Sequence, residues 1–118
     1  MNLADYPRAI AEAEAAVLTA QQGARALAEA VERRKAEFKG MVANDPTLTN
    51  DAKRKDMLAQ LELMDGEYLG LQMQHHAAKD AVVMAQIEAD LQLRLWQAEK
   101  LAAEKAIAQG RRMGALEY

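Results

Sequence analysis

The stretch Asn44-Asp45-Pro46-Thr47-Leu48-Thr49-Asn50-Asp51 divides the chain and decides how the rest reads. Proline disfavours the α conformation at the residue before it, so a helix arriving from upstream ends before Asp45. Thr49 or Asn50 then stands where a side-chain oxygen caps a new helix. Further upstream, Asp5 and Pro7 occupy the N-cap and first-turn positions of an opening helix. These signals predict a single domain over 1–118, with a helix over 5–43, a turn over 44–49, a helix over 50–109 and a flexible basic tail over 110–118 marked by Gly110 and Gly114. Asp65-Gly66 and Gly70 are the weak places in the second helix, each glycine costing about 1 kcal/mol against alanine, and a kink or short break is expected there.

Composition supports the same architecture. The chain has 118 residues, 26 of them alanine, with six glycines and two prolines, which predicts an all-α fold of one small domain. It has no cysteine, so disulfides, thiolate metal sites and a cysteine nucleophile are excluded. One Phe, one Trp and three Tyr are few large anchors against the conformational entropy of folding, so a second copy is expected to complete the core. Apolar runs are far shorter than the roughly 20 residues that span a bilayer. No basic segment followed by an apolar one opens the chain, so no secretion signal is expected. The net charge of −3 argues against general binding to DNA or an anionic membrane.

A heptad register runs through both halves. In the first, Leu3, Tyr6, Ile10, Ala13, Val17, Ala20, Ala24, Leu27, Val31, Arg34, Phe38 and Met41 alternate spacings of three and four, and only Arg34 is polar. In the second, Met57, Leu61, Met64, Tyr68, Leu71, His75, Ala78, Val82, Ala85 and Ala89 do the same, with His75 the polar member. Laid antiparallel about a midpoint between Thr47 and Leu48, the seams pair Phe38 with Met57, Arg34 with Leu61, Val31 with Met64, Leu27 with Tyr68, Val17 with Ala78 and Tyr6 with Ala89. From Ala24 onward small faces large, which allows close approach at native packing density. The expectation is an antiparallel two-helix coiled-coil hairpin.

Such a hairpin leaves apolar surface uncovered. The second helix outruns the first by about 17 residues, or ~26 Å at the α-helical rise. It also carries a second stripe that does not face the first helix. The expected oligomer interface is Leu69, Met73, Met84, Ile87, Leu91, Leu95, Trp96 and Leu101. A second copy would bury it through a two-fold contact, giving a homodimer or tetramer organised as a four-helix bundle.

Signatures of catalysis are absent from this reading. His75 and His76 are adjacent, so they point about 100° apart on a helix and read as seam or interface residues rather than a metal pair. Glu12, Glu14, Glu88 and Asp90 lie among polar neighbours and read as a solvated face. There is no serine, no phosphate-binding glycine loop and no His-x-x-x-His spacing. The expectation is a non-enzyme without catalytic residues, metal or cofactor. A small-molecule or metal-binding bundle stands as a second alternative.

Charge is uneven. Residues 32–56 hold seven bases, Arg33, Arg34, Lys35, Lys39, Lys53, Arg54 and Lys55, against five acids, so this region is +2 and the remainder −5. The seven are candidates for contact with a partner or with nucleic-acid phosphates, although the only aromatic among them, Phe38, is taken by the seam. The stretch from Asp45 to Lys55, followed by Glu67-Tyr68, resembles a turn-and-helix pattern in small helical accessory proteins of phages and prophages, some encoded near recombination genes. The resemblance implies a non-enzymatic accessory in the cytoplasm of a bacterial or phage-infected cell. The expected function is a self-associating scaffold or adaptor whose partners are itself and another protein. A recombination or single-stranded-DNA accessory is the alternative, with nucleic acid the less favoured partner and no membrane involved.

Overall fold

Two breaks capped by short polar side chains set the helix boundaries. The computed structural model describes residues 2–116 and is all-α, with a 3₁₀ turn at Leu3–Asp5 followed by α1 (Tyr6–Ala43), α2 (Asp51–Met64) and α3 (Gly66–Leu116). Asn50 rather than Thr49 caps α2, its Oδ1 accepting the Lys53 N–H at 2.9 Å. In the turn before it, Asp45 accepts both the N–H and the hydroxyl of Thr47, at 2.9 and 2.7 Å. That is the local side-chain bond that competes with helix and holds a tight turn.

Two boundaries differ from the sequence expectation, and an expected weak place is a full break. The opening cap lies at Asn2 rather than Asp5: the Asp5 N–H donates to the Asn2 carbonyl at 3.0 Å, and the Asp5 carboxylate accepts the Asn2 N–H at 3.3 Å. At the weak place expected at Asp65-Gly66, the second helix divides fully into two, because Asp65 is extended, with ψ 113°. Asp65 closes α2 by donating its N–H to the Leu61 carbonyl at 2.9 Å, and opens α3 by accepting the Tyr68 N–H on its carboxylate at 2.7 Å. Aspartate suits a cap better than a helix interior, and Gly66 behind it weakens continuation further. The expected flexible tail over 110–118 is instead helical as far as Leu116. Gly110 and Gly114 stand singly among good helix formers, and an isolated glycine costs too little to end a helix already propagating. Glu117 and Tyr118 lie outside the described residues.

The contacts divide the chain into two units, one of residues 19–82 and one joining the segment up to Leu18 with Val83 onward. In the first unit the core is Val31, Phe38 and Tyr68, with Leu58, Leu61 and Leu71 packed against it. Phe38 and Tyr68 meet edge-to-face, ring centroids 5.5 Å apart, an arrangement that aligns a positive ring edge with a negative face. In the second unit Tyr6 is buried, and Ile10, Ala13 and Val17 of α1 are half-buried, as are Ala85, Ala89, Gln92 and Trp96 of α3.

Most of the expected seam residues therefore lie inward, but their register is different. Tyr68, expected opposite Leu27, gathers with Val31 and Phe38, whose expected partners were Met64 and Met57. Val17, expected at Ala78, lines a groove with Gln86, Ala89 and Leu93. The slip has a physical cause. Alanine seams offer almost the same contacts after sliding by a heptad, so volume matching does not fix their position. The large anchors and the break at Asp65 fix it instead. Met64, expected in the seam, is 82% exposed because it is the last residue before that break, and Val42 replaces Met41 as the buried residue at the end of α1.

Phe38→Ala should lower stability by about 3–5 kcal/mol, whereas Met64→Lys should change it by no more than about 0.5 kcal/mol. Urea titrations followed by helical circular dichroism distinguish these anchors-first and seam-first pictures.

Candidate interaction surface

Arg34, the one polar residue in the first seam, lies against carboxylates. Its guanidinium reaches Asp65 through Nη2 at 2.7 Å and Nε at 3.4 Å, Glu37 through Nη1 at 2.6 Å and Glu67 at 3.7 Å. It also lies 5.0 Å from the Phe38 ring centroid, over the ring face. A planar guanidinium is suited to a forked contact with carboxylate while stacking on an aromatic face. The arginine hydrogen bond, followed by the Tyr68 N–H, holds the Asp65 carboxyl below its ordinary value. The same carboxylates hold the Arg34 proton more tightly than usual. Arg34 thus ties α1 to the α2–α3 junction, a structural position for a residue that charge pattern alone groups with candidate phosphate ligands.

The remaining basic candidates separate into two groups. Lys35 pairs with Glu32 at 3.8 Å and Arg54 with Asp51 at 3.2 Å. Arg33, Lys39, Lys53 and Lys55 are exposed and, among the described residues, have no acid within ion-pair distance. So four of the seven candidate bases have no ion partner among the described residues and can meet an anion.

The apolar candidates lie on α3. In the unit of residues 19–82, Leu69 and Met73 are exposed. In the other unit Met84, Ile87, Leu91, Leu95 and Leu101 are exposed, each keeping between 42% and 65% of its surface in contact with solvent. Helical spacing puts Met84, Leu91 and Leu95 on one stripe, with Ile87 at its edge. Trp96 stands apart from them: it is half-buried in the row that includes Ala85, Ala89 and Gln92, and the Lys100 ammonium lies 5.2 Å from its ring centroid. Beside the stripe, Ile87, Asp90, Leu91 and Arg94 line a groove of about 280 Å³. Asp90 and Arg94 are four residues apart yet form no ion pair with one another or with any other described residue.

A second groove escaped the sequence reading. Glu14, Val17 and Leu18 of α1 and Gln86, Ala89, Asp90 and Leu93 of α3 line about 400 Å³ of mainly apolar space. Leu18 and Leu93 each follow a seam row by one position, and heptad counting passes over such neighbours. His75 is half-buried beside exposed His76, the two rings stacked with centroids 6.3 Å apart. Among the described residues no three His, Asp or Glu side chains gather as a metal site, and no helix is long and apolar enough to cross a membrane. No family model, curated protein or solved structure matches the chain.

The Arg34–Asp65 contact carries a pH dependence. Because folding lowers the Asp65 carboxyl below its ordinary 3.8, the stabilisation is complete above that value and is lost as pH falls through the lowered one. The melting temperature should therefore drop on acidification below about pH 4. Asp65→Asn should lower it at pH 7 and flatten that part of the acid limb, read by thermal melts across pH 2–7.

Proposed function

We propose that the chain is a non-enzymatic, self-associating helical scaffold or adaptor, joined to its copy through α3. The observation that carries this reading is the exposed series Met84, Ile87, Leu91 and Leu95 on one helix. Contiguous apolar surface of this kind is unfavourable in water and characterises interfaces in stable proteins. Two copies meeting along α3 would form a four-helix bundle or a longer coiled-coil dimer, and the core would gain the large side chains that each chain alone lacks. Sedimentation equilibrium at micromolar concentration should give a mass above one chain. Leu91→Glu combined with Leu95→Glu should move it to the monomer while helicity stays within a few per cent. A folded monomer for the parent chain would refute the reading.

A second reading draws on Arg33, Lys39, Lys53 and Lys55, exposed and without ion partners among the described residues, and on the resemblance to phage accessory proteins. Cations on one unit can neutralise backbone phosphates, and such binding weakens steeply with salt through counterion release. If this reading holds, single-stranded DNA is retarded on gels at 50 mM salt and released at 300 mM, and replacing the four cations by glutamine abolishes the shift. Absence of any shift at low salt removes it.

A further inference from the structure

We infer that the groove between α1 and α3, in the unit formed by the segment up to Leu18 and Val83 onward, docks one amphipathic helix of another protein, with leucine-class side chains on its inner face and lysine or arginine beside them. This supplies the partner contact of an adaptor, and it stands whether or not copies meet along α3. The groove holds about 400 Å³. Val17, Leu18, Ala89 and Leu93 make it mainly apolar, and its charged lining residues are Glu14 on the α1 wall and Asp90 on the α3 wall, acids without a base. Leu18 is 60% exposed and Leu93 39%, so each wall offers a leucine to an incoming side chain.

Charge selects the occupant. On its own helix Glu14 has Ile10, Ala11, Val17 and Leu18 three and four positions away, none of them a base. Neighbouring acids are engaged: Glu12 pairs with Arg8 at 3.2 Å, and Glu88 accepts a hydrogen bond from Gln92 at 2.9 Å. Glu14 and Asp90 are exposed and have no ion partner among the described residues. Arg94, the one base within helical reach of Asp90, lines the neighbouring groove with Ile87 and Leu91 instead. Uncompensated carboxylates on both walls repel an acidic helix and attract a basic one, so covering the leucines and neutralising the acids favour the same ligand.

Shape selects a helix over a small molecule. A drug-sized ligand needs about 70–90% of its surface enclosed, which a trough with exposed leucines on its walls does not provide. A third helix laid along the pair instead buries a stripe of its own side chains between the walls and keeps its polar face in water. The groove also lies away from the Met84 stripe. At about 100° per residue, Gln86 and Leu93 fall on one side of the half-buried row of Ala85, Ala89, Gln92 and Trp96, whereas Met84, Leu91 and Leu95 fall on the other. A helix in the groove and a copy on the stripe therefore use different faces of α3.

The probe is a synthetic amphipathic peptide of about 15 residues, long enough to form a helix when bound. It carries a leucine face flanked by lysines and a fluorescent label, and is titrated with the full chain by anisotropy. It should bind with one-to-one stoichiometry, whereas counterparts with glutamate for lysine, or alanine for leucine, should not bind. Leu18→Gln combined with Leu93→Gln, both at exposed sites, should weaken binding about tenfold. Glu14→Gln with Asp90→Asn should weaken it about fivefold at low salt and make little difference at high salt. Leu91→Gln with Leu95→Gln should leave it unchanged. No binding of the leucine–lysine peptide overturns the inference. Equal binding of the alanine counterpart would mean that net charge alone attracts the peptide, and loss of binding in the Leu91 and Leu95 variant would place it on the stripe; either result also overturns it. So does a fall in the sedimenting mass of the Leu18 and Leu93 variant, which would put a second copy in the groove. A monomeric parent, by contrast, removes the self-association reading and leaves this one in force.

Discussion

One aspartate holds the connection between the helices. Asp65 ends α2 through its backbone N–H, begins α3 through its carboxylate, and fastens that junction to α1 through Arg34. The guanidinium in turn covers Phe38, whose ring edge-packs against Tyr68, three residues beyond the break. Backbone capping, a charge-assisted hydrogen bond and aromatic packing thus converge within a few residues. Each alone contributes modestly, but they share one geometry, and groups that share partners couple more strongly than separated ones. Alanine-rich helices can slide past one another with little penalty. This junction sets where they stop in the unit that contains it.

The all-α class and the position of the first turn could be read from the sequence because both follow from local chemistry. Alanine content and the Asn44–Asp51 punctuation act on the backbone directly, without reference to distant residues. The inward-facing rows were legible for the same reason, since a helix fixes which side chains share a face. Register was not legible in that way. A row of Ala13, Ala20, Ala24, Ala78, Ala85 and Ala89 presents nearly uniform bumps, so symmetry about the turn assigned Val17 to Ala78, although it lines a groove with Ala89. The signal that could have corrected it was Arg34. A lone arginine in an apolar row calls for a carboxylate, and Asp65 beside Gly66 was already marked as a weak point in the second helix.

The candidate surfaces divide similarly. Exposure of Met84, Ile87, Leu91 and Leu95 follows from a second stripe visible in the sequence, because one helix can turn only one face towards its neighbour. Trp96 was grouped with them by size and proximity, but its angular position belongs with Ala89 and Gln92. Among the bases, counting charge could not separate Arg34, Lys35 and Arg54, engaged by acids, from Arg33, Lys39, Lys53 and Lys55. That separation depends on where neighbouring carboxylates come to rest in three dimensions.

The uneven placement of large side chains also bears on how the molecule comes apart. The segment up to Leu18 and from Val83 onward has Tyr6 as its one buried hydrophobic side chain among the described residues, whereas Val31, Phe38, Val42 and Tyr68 are buried between Thr19 and Val82. Resistance to opening tracks the apolar area that opening exposes, so loss of structure is staged rather than concerted, with the terminal segments exchanging their amide protons before the middle of the chain. A copy docked on α3 would slow that exchange at the very helix it covers, making assembly and the ordering of these segments one event.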